Sequence, residues 1–131
     1  MTPCFHVLVA TASGNLRDII CRVLGRNGYT TKPVSSAAAA LEEARHSQYE
    51  AIVTDMHLPD CCGATLVGSL RRAGVDTPAI LLVEEETPRV REITSRLGST
   101  RCLAGPTDLD RLKAAIADAC NGEAASKVAK G

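Results

Sequence analysis

Aromatic side chains are nearly missing from this chain: there is no Trp, and Phe5, Tyr29 and Tyr49 are the only Phe or Tyr residues among 131. A single strand of nucleic acid therefore finds few rings on which to stack its bases. Nor is there an excess of either charge, since 15 Lys and Arg balance 15 Asp and Glu. The overall field attracts neither phosphate backbones nor anionic membrane surfaces. No direct nucleic-acid partner and no membrane partner is expected. No apolar run approaches the roughly 20 residues that cross a bilayer, and no basic stretch followed by an apolar one marks a secretory leader. The expected location is cytoplasmic.

The six cysteines, Cys4, Cys21, Cys61, Cys62, Cys102 and Cys120, include no C-x-x-C pair. Most lie in apolar segments, where a thiol serves as a small hydrophobe, and reduced thiols are expected. Cys61 and Cys62 crowd with His57 and Asp60, but without the ligand spacing of a closed metal centre. A solvated loop is expected there, and no metal site. A P-loop, a G-x-G-x-x-G turn and a nucleophile elbow are all absent, so no enzyme is expected.

What is present is apolar aliphatic content in the right places. The hydrophobic share of 45% suffices to cover a sheet on both faces. His6 to Ala10 reads HVLVA, a run too short for a helix and apolar enough for a strand buried on both sides. Leu16, Ile19, Ile20, Val23 and Leu24 then recur at helical spacing, and Gly25 and Gly28 follow as stop signals. Thr30 to Val34 is β-branched but carries Pro33, which suits an edge strand. Ser35 or Ser36 can cap a second helix built on the Ala37 to Ala40 run. AIVT, ending at Thr54, and PAILLV, ending at Val83, are two further buried strands. Gly63 opens a third helix, Thr87-Pro88 a fourth, and Thr107 with Asp110 a fifth, the last preceded by a weak strand at Cys102 to Ala104. Strands alternating with helices at these lengths predict an α/β fold, a doubly wound five-stranded parallel sheet with helices on both faces. Residues 1–120 form the domain, and 121–131, small and polar, are expected to be a flexible C-terminal tail or linker.

The stretch AIVTDMHLPDCCG, with TPAILLV and RCLAGPTDLDRL, resembles the receiver domain of two-component response regulators over roughly residues 5–120. The resemblance implies a flavodoxin-like (βα)5 fold and places Asp55, Pro59 and Gly63 on the acceptor Asp, the turn Pro and the Gly that opens helix three. It equally implies a divergent, pseudo-receiver type. Thr11 and Ala12 fall where receivers carry the acidic pair that holds magnesium. Asp55 with the Met56 carbonyl should then bind the ion weakly at most, and no other cofactor is expected. Val83 falls on the hydroxyl position, Glu84 on the small residue after it, Gly105 on the Lys and Cys102 on the aromatic switch. Arg101 is the one nearby substitute cation.

The function so implied is phosphorelay signal transduction through protein–protein interaction, with phosphorylation at Asp55 atypical or lost. Two alternatives stand beside it: a phosphorylation-competent response regulator using Asp55, and a pseudo-receiver that senses a small, nucleotide-type ligand. Expected partners are a signalling protein, either a histidine kinase or an output domain, and a second copy in a homodimer. Helix four, strand five and helix five are the candidate face, carrying Arg89, Arg91, Arg96 and Arg101.

Overall fold

The computed structural model describes residues 5–105 and 109–130, with side chains to residue 120. Five strands, β1 (His6–Ala10), β2 (Thr30–Val34), β3 (Ala51–Asp55), β4 (Ala79–Val83) and β5 (Thr100–Ala104), alternate with five helices. These are α1 (Gly14–Arg26), α2 (Ala37–His46), α3 (Gly63–Arg72), α4 (Pro88–Ser95) and α5 (Leu109–Lys130). All four strand pairings are parallel, in the spatial order β2-β1-β3-β4-β5. The doubly wound α/β sheet expected from sequence is thus the fold.

Period-two alternation sorts each inner strand into two cores. Val7 and Val9 of β1, Val53 of β3 and Ile80 and Leu82 of β4 face Ile20 and Leu24 of α1 and Leu112 and Ile116 of α5. Leu8 and Ala10, Ile52, and Leu81 and Val83 face the opposite way, onto Ala37, Ala40 and Ala44 of α2 and Leu66, Val67 and Leu70 of α3. The small Ala stripe lets α2 lie close. The central strands are apolar throughout because both faces are covered, and each fully buried Leu or Ile contributes about 2 kcal/mol of transfer free energy.

Helix ends follow the sequence signals except at Gly25, expected as a stop to the first helix, which instead lies within α1, one residue before its end. Ser13, Ser36 and Thr87 each accept a backbone N–H in the first turn of α1, α2 and α4 through the side-chain oxygen. Beyond α1, Gly28 takes φ +89°, a left-handed turn that a β-carbon would oppose. Pro33 lies in β2, which is an edge of the sheet, as its missing N–H requires. α5 runs to Lys130, so the backbone of 121–130, expected as tail or linker, continues a helix, in keeping with its Ala, Glu and Lys content. Thr107, the expected cap of that helix, lies outside the described residues.

Among the described residues no helix is long and apolar enough to cross a membrane. The described cysteines, Cys21, Cys61, Cys62, Cys102 and Cys120, are free thiols.

Candidate functional site

In an open parallel sheet the crevice forms where the strand order reverses, outside the carboxyl ends of the strands. Here β1 lies between β2 and β3, so the crevice opens where Thr11 and Ala12 leave β1 and Asp55 ends β3. β4 adds Val83 and Glu84, and β5 adds Gly105. The positions singled out in sequence therefore converge on one end of the sheet.

Thr11 is fully buried, and its hydroxyl donates to the Ser13 carbonyl at 3.0 Å. Its own carbonyl accepts the Arg17 guanidinium at 2.7 Å. Ala12 is exposed and its methyl side chain offers no donor atom. Val83 is buried against α2 and α3, which leaves the end of β4 without a hydroxyl. The Met56 carbonyl, expected to face a cation, instead accepts the Gly63 N–H at 2.7 Å, closing the loop between β3 and α3. Arg101 does not turn toward Asp55 either: its guanidinium lies 3.5 Å from Asp118 on α5. Gly105 adopts φ +75° and donates its N–H to the Val83 carbonyl at 3.2 Å. A Lys at that position would meet a backbone suited to glycine.

Asp55 is half-buried at the end of β3. Partial burial pushes its carboxyl above the usual range, the N–H groups of His57 and Met56 and the nearby His57 imidazole pull it down, and the Glu84 charge pushes it up again. The net shift is upward. A carboxylate that is partly desolvated, with a like charge adding to the effect, disfavours its own ionised form. The oxygen set also fits magnesium poorly, because that ion wants an octahedral shell with carboxylate charge and the β1 oxygens are turned inward. Among the described residues no three His, Cys, Asp or Glu side chains come together as a metal site.

The raised pKa fixes a sign. The folded state holds the Asp55 proton more tightly than the unfolded chain does, so stability falls as pH rises from the ordinary value near 3.8 through the folded one. The cost is fully present at neutral pH. Asp55→Asn removes the charge at nearly the same size, and its urea midpoint at pH 7 is expected to exceed that of the parent, with the gap closing at acid pH. A lower midpoint for Asp55→Asn at pH 7 would contradict a net cost of burying the Asp55 charge.

Sequence reasoning did not foresee what Asp60 does. Its two carboxylate oxygens accept the N–H groups of Ala37 and Ala38 at 2.8 and 2.9 Å, so the β3–α3 loop caps α2 from 23 residues away. These bonds hold its carboxyl below the usual range. The available signal was the first turn of α2, which carries no acid of its own. The four arginines of the expected partner face, Arg89, Arg91, Arg96 and Arg101, are all exposed, and the last three pair with Glu86, Glu92 and Asp118. A cleft of about 420 Å³ lies at the other end of the sheet, bordered by His46, Tyr49, Asp76 and Cys120, away from the crevice beside Asp55.

The chain is similar in sequence to known regulatory proteins. The chain is 27% identical over 114 residues to the alkaline phosphatase synthesis transcriptional regulatory protein SphR of Synechococcus elongatus, covering 80% of this chain and 44% of that protein. It is 27% identical over 117 residues to the sensory/regulatory protein RpfC of Xanthomonas campestris, covering 86% of this chain and 16% of that one. The chain thus spans less than half the length of either. The receiver domain of the Francisella response regulator 1452 superposes with a TM-score of 0.85 at 24% identity, covering 91% of this chain and 98% of that domain, which shows a common fold. Residues 7–117 match the family described as the response regulator receiver domain, and the chain belongs to that family.

Proposed function

We propose that this receiver domain signals by docking to a protein partner, a histidine kinase or an output domain, and that conventional phosphorylation of Asp55 is lost. One observation carries the reading: the two positions after β1 present a buried Thr11 hydroxyl turned to Ser13 and a bare Ala12 methyl, so no carboxylate stands beside Asp55 on that strand. Phosphoryl transfer relies on positioning and on positive charge aimed at the equatorial oxygens. Removing one preorganised donor of this kind costs on the order of 3 kcal/mol of transition-state stabilisation, and here the cation-holding acids, a hydroxyl and a Lys are missing together. The kinase and regulator relatives support a role in two-component signalling.

The test is titration with beryllofluoride and magnesium, followed by amide shifts of residues 55–63 and 83–85. No saturable shift is expected at these positions up to millimolar reagent. Saturable shifts centred on Asp55 would establish the second reading, a working phosphoacceptor. The half-exposed position of Asp55 at the mouth of the crevice favours that reading.

A further inference from the structure

Two adjacent thiols stand between the end of β3 and the start of α3, and nothing in the signalling role uses them. Their surroundings differ. Cys62 occupies the N-cap position of α3 with φ −84° and ψ 154°, and makes no side-chain capping bond there. Its sulfur lies 3.3 Å from the Thr65 hydroxyl. That hydroxyl holds the thiol below its usual range against the opposing effect of partial burial. Cys61 packs against the α2–α3 core, and its Sγ donates to the Cys62 carbonyl at 3.4 Å. Burial and the neighbouring charges of Asp60 and Cys62 push its thiol up. Both residues are partly exposed.

We propose that Cys62 and Cys61 form a peroxide-oxidisable vicinal dithiol, Cys62 supplying the attacking sulfur and Cys61 the resolving one. The ionised Cys62 sulfur attacks one oxygen of a hydroperoxide. The O–O bond breaks, the sulfur loses two electrons to become a sulfenic acid, and the departing oxygen leaves as hydroxide or alkoxide and takes a proton. The Cys61 thiol then attacks the Cys62 sulfur, an S–S bond replaces the S–OH bond, and the Cys61 proton leaves with that oxygen as water. With hydrogen peroxide the sum is two thiols and one peroxide giving one disulfide and two waters. The unequal thiols suit this stepwise chemistry better than a soft metal, which needs both sulfurs ionised and a further ligand; none completes a group of three among the described residues.

Ring closure has structural consequences at the crevice. The two sulfurs now point to different partners, Thr65 and the Cys62 carbonyl. Joining them strains the His57–Cys62 bridge and the Leu58–Cys61 turn, and that turn carries Asp60, the cap of α2. Oxidation would therefore loosen the start of α2 together with the loop that follows Asp55.

The experiment uses the full chain. Trypsin cuts after Arg45 and Arg71, so the peptide 46–71 carries Cys61 and Cys62 and no other cysteine, while Cys21 and Cys102 fall in separate peptides. The protein is treated with a few equivalents of hydrogen peroxide, quenched, alkylated and read by mass spectrometry. The 46–71 peptide is expected to lose two hydrogens and become refractory to alkylation at least about tenfold faster than Cys21 or Cys102 is oxidised. Cys61→Ser should stop at a dimedone-trappable sulfenic acid on Cys62. Cys62→Ser should leave Cys61 reduced at the same dose. Uniform oxidation of all thiols in the parent protein overturns the proposal without recourse to any variant, as does equally fast oxidation of Cys61 in Cys62→Ser.

Discussion

Replacing Gly63 with Ala is expected to lower the stability of the domain by about 2–3 kcal/mol, measured as a fall in the urea midpoint at unchanged slope. A β-carbon built on Gly63 falls 2.3 Å from the Asp55 carbonyl oxygen and 3.1 Å from Cδ2 of Leu81. The first neighbour is backbone at the end of a central strand, so it cannot swing aside as a side chain would. The 2.7 Å bond from the Gly63 N–H to the Met56 carbonyl holds the two chains at that distance. The substitution therefore forces either the loop or the strand end to move, and both carry the crevice. Gly25→Ala is the natural control. Gly25 lies inside α1 with nothing within 4 Å of the added carbon, so the same chemical change there should stabilise by up to about 1 kcal/mol. Two Gly→Ala changes of opposite sign isolate close backbone approach from chain entropy. Equal midpoints for Gly63→Ala and the parent would refute it.

Arg71→Lys is expected to cost about 2 kcal/mol, and Arg71→Met about 3, although neither removes any core packing. The guanidinium at the end of α3 donates to the carbonyls of Leu97, Val75, Thr77 and Ser99 at 2.7, 2.9, 2.7 and 3.0 Å, and to the Thr100 hydroxyl at 3.2 Å. One planar fork thus joins the α3–β4 connection to the α4–β5 connection. A Lys ammonium is a compact point with three donors and cannot reach five acceptors spread around the edge of the guanidinium plane. Partial burial of the cation, opposed only in part by the Asp76 charge, holds its pKa below the usual Arg range. Hydrogen exchange provides a second readout: protection of the Ala79 amide, which donates to the Ser99 carbonyl, should fall in Arg71→Lys while that of Val7 in β1 is unchanged. Loss of protection spread evenly over the sheet would show global weakening instead of a released clamp.

Neither feature was legible in the sequence, and the reason is the same for both. Strand and helix identity is written in neighbouring residues, through alternation in HVLVA and PAILLV and through helical spacing from Leu16 to Leu24, so those elements were readable. The weak strand was read as Cys102 to Ala104, and its pairing with β4 extends it back to Thr100. Arg71, by contrast, reaches acceptors as far as 29 positions away, and Asp60 caps a helix 23 residues before it. No local pattern marks an arginine whose partners are carbonyls, since any residue supplies a carbonyl. The candidate site divides the same way. Asp55 was identifiable from the run through Pro59 and Gly63, and the acidic neighbour Glu84 followed from the parallel pairing of β3 with β4. The orientations of the Met56 carbonyl and of Arg101 are not written in their neighbours, because they depend on the Gly63 amide and on Asp118, one set by a tight loop and the other by a helix on the sheet.

The edge position of β2 bears on how this protein resists aggregation. The Thr30 N–H and the Val34 carbonyl both bond toward β1, so residues 30, 32 and 34 face the sheet and by alternation 31 and 33 face outward. One of those two outward residues is Pro33, which has no N–H to offer, and Lys32 adds an exposed charge beside it. An approaching strand from another chain would find one donor, at Thr31, where an open five-residue edge would present two or three. That is too little to seed a continuous ladder, so this flank of the sheet is closed to intermolecular strand addition without any covering element.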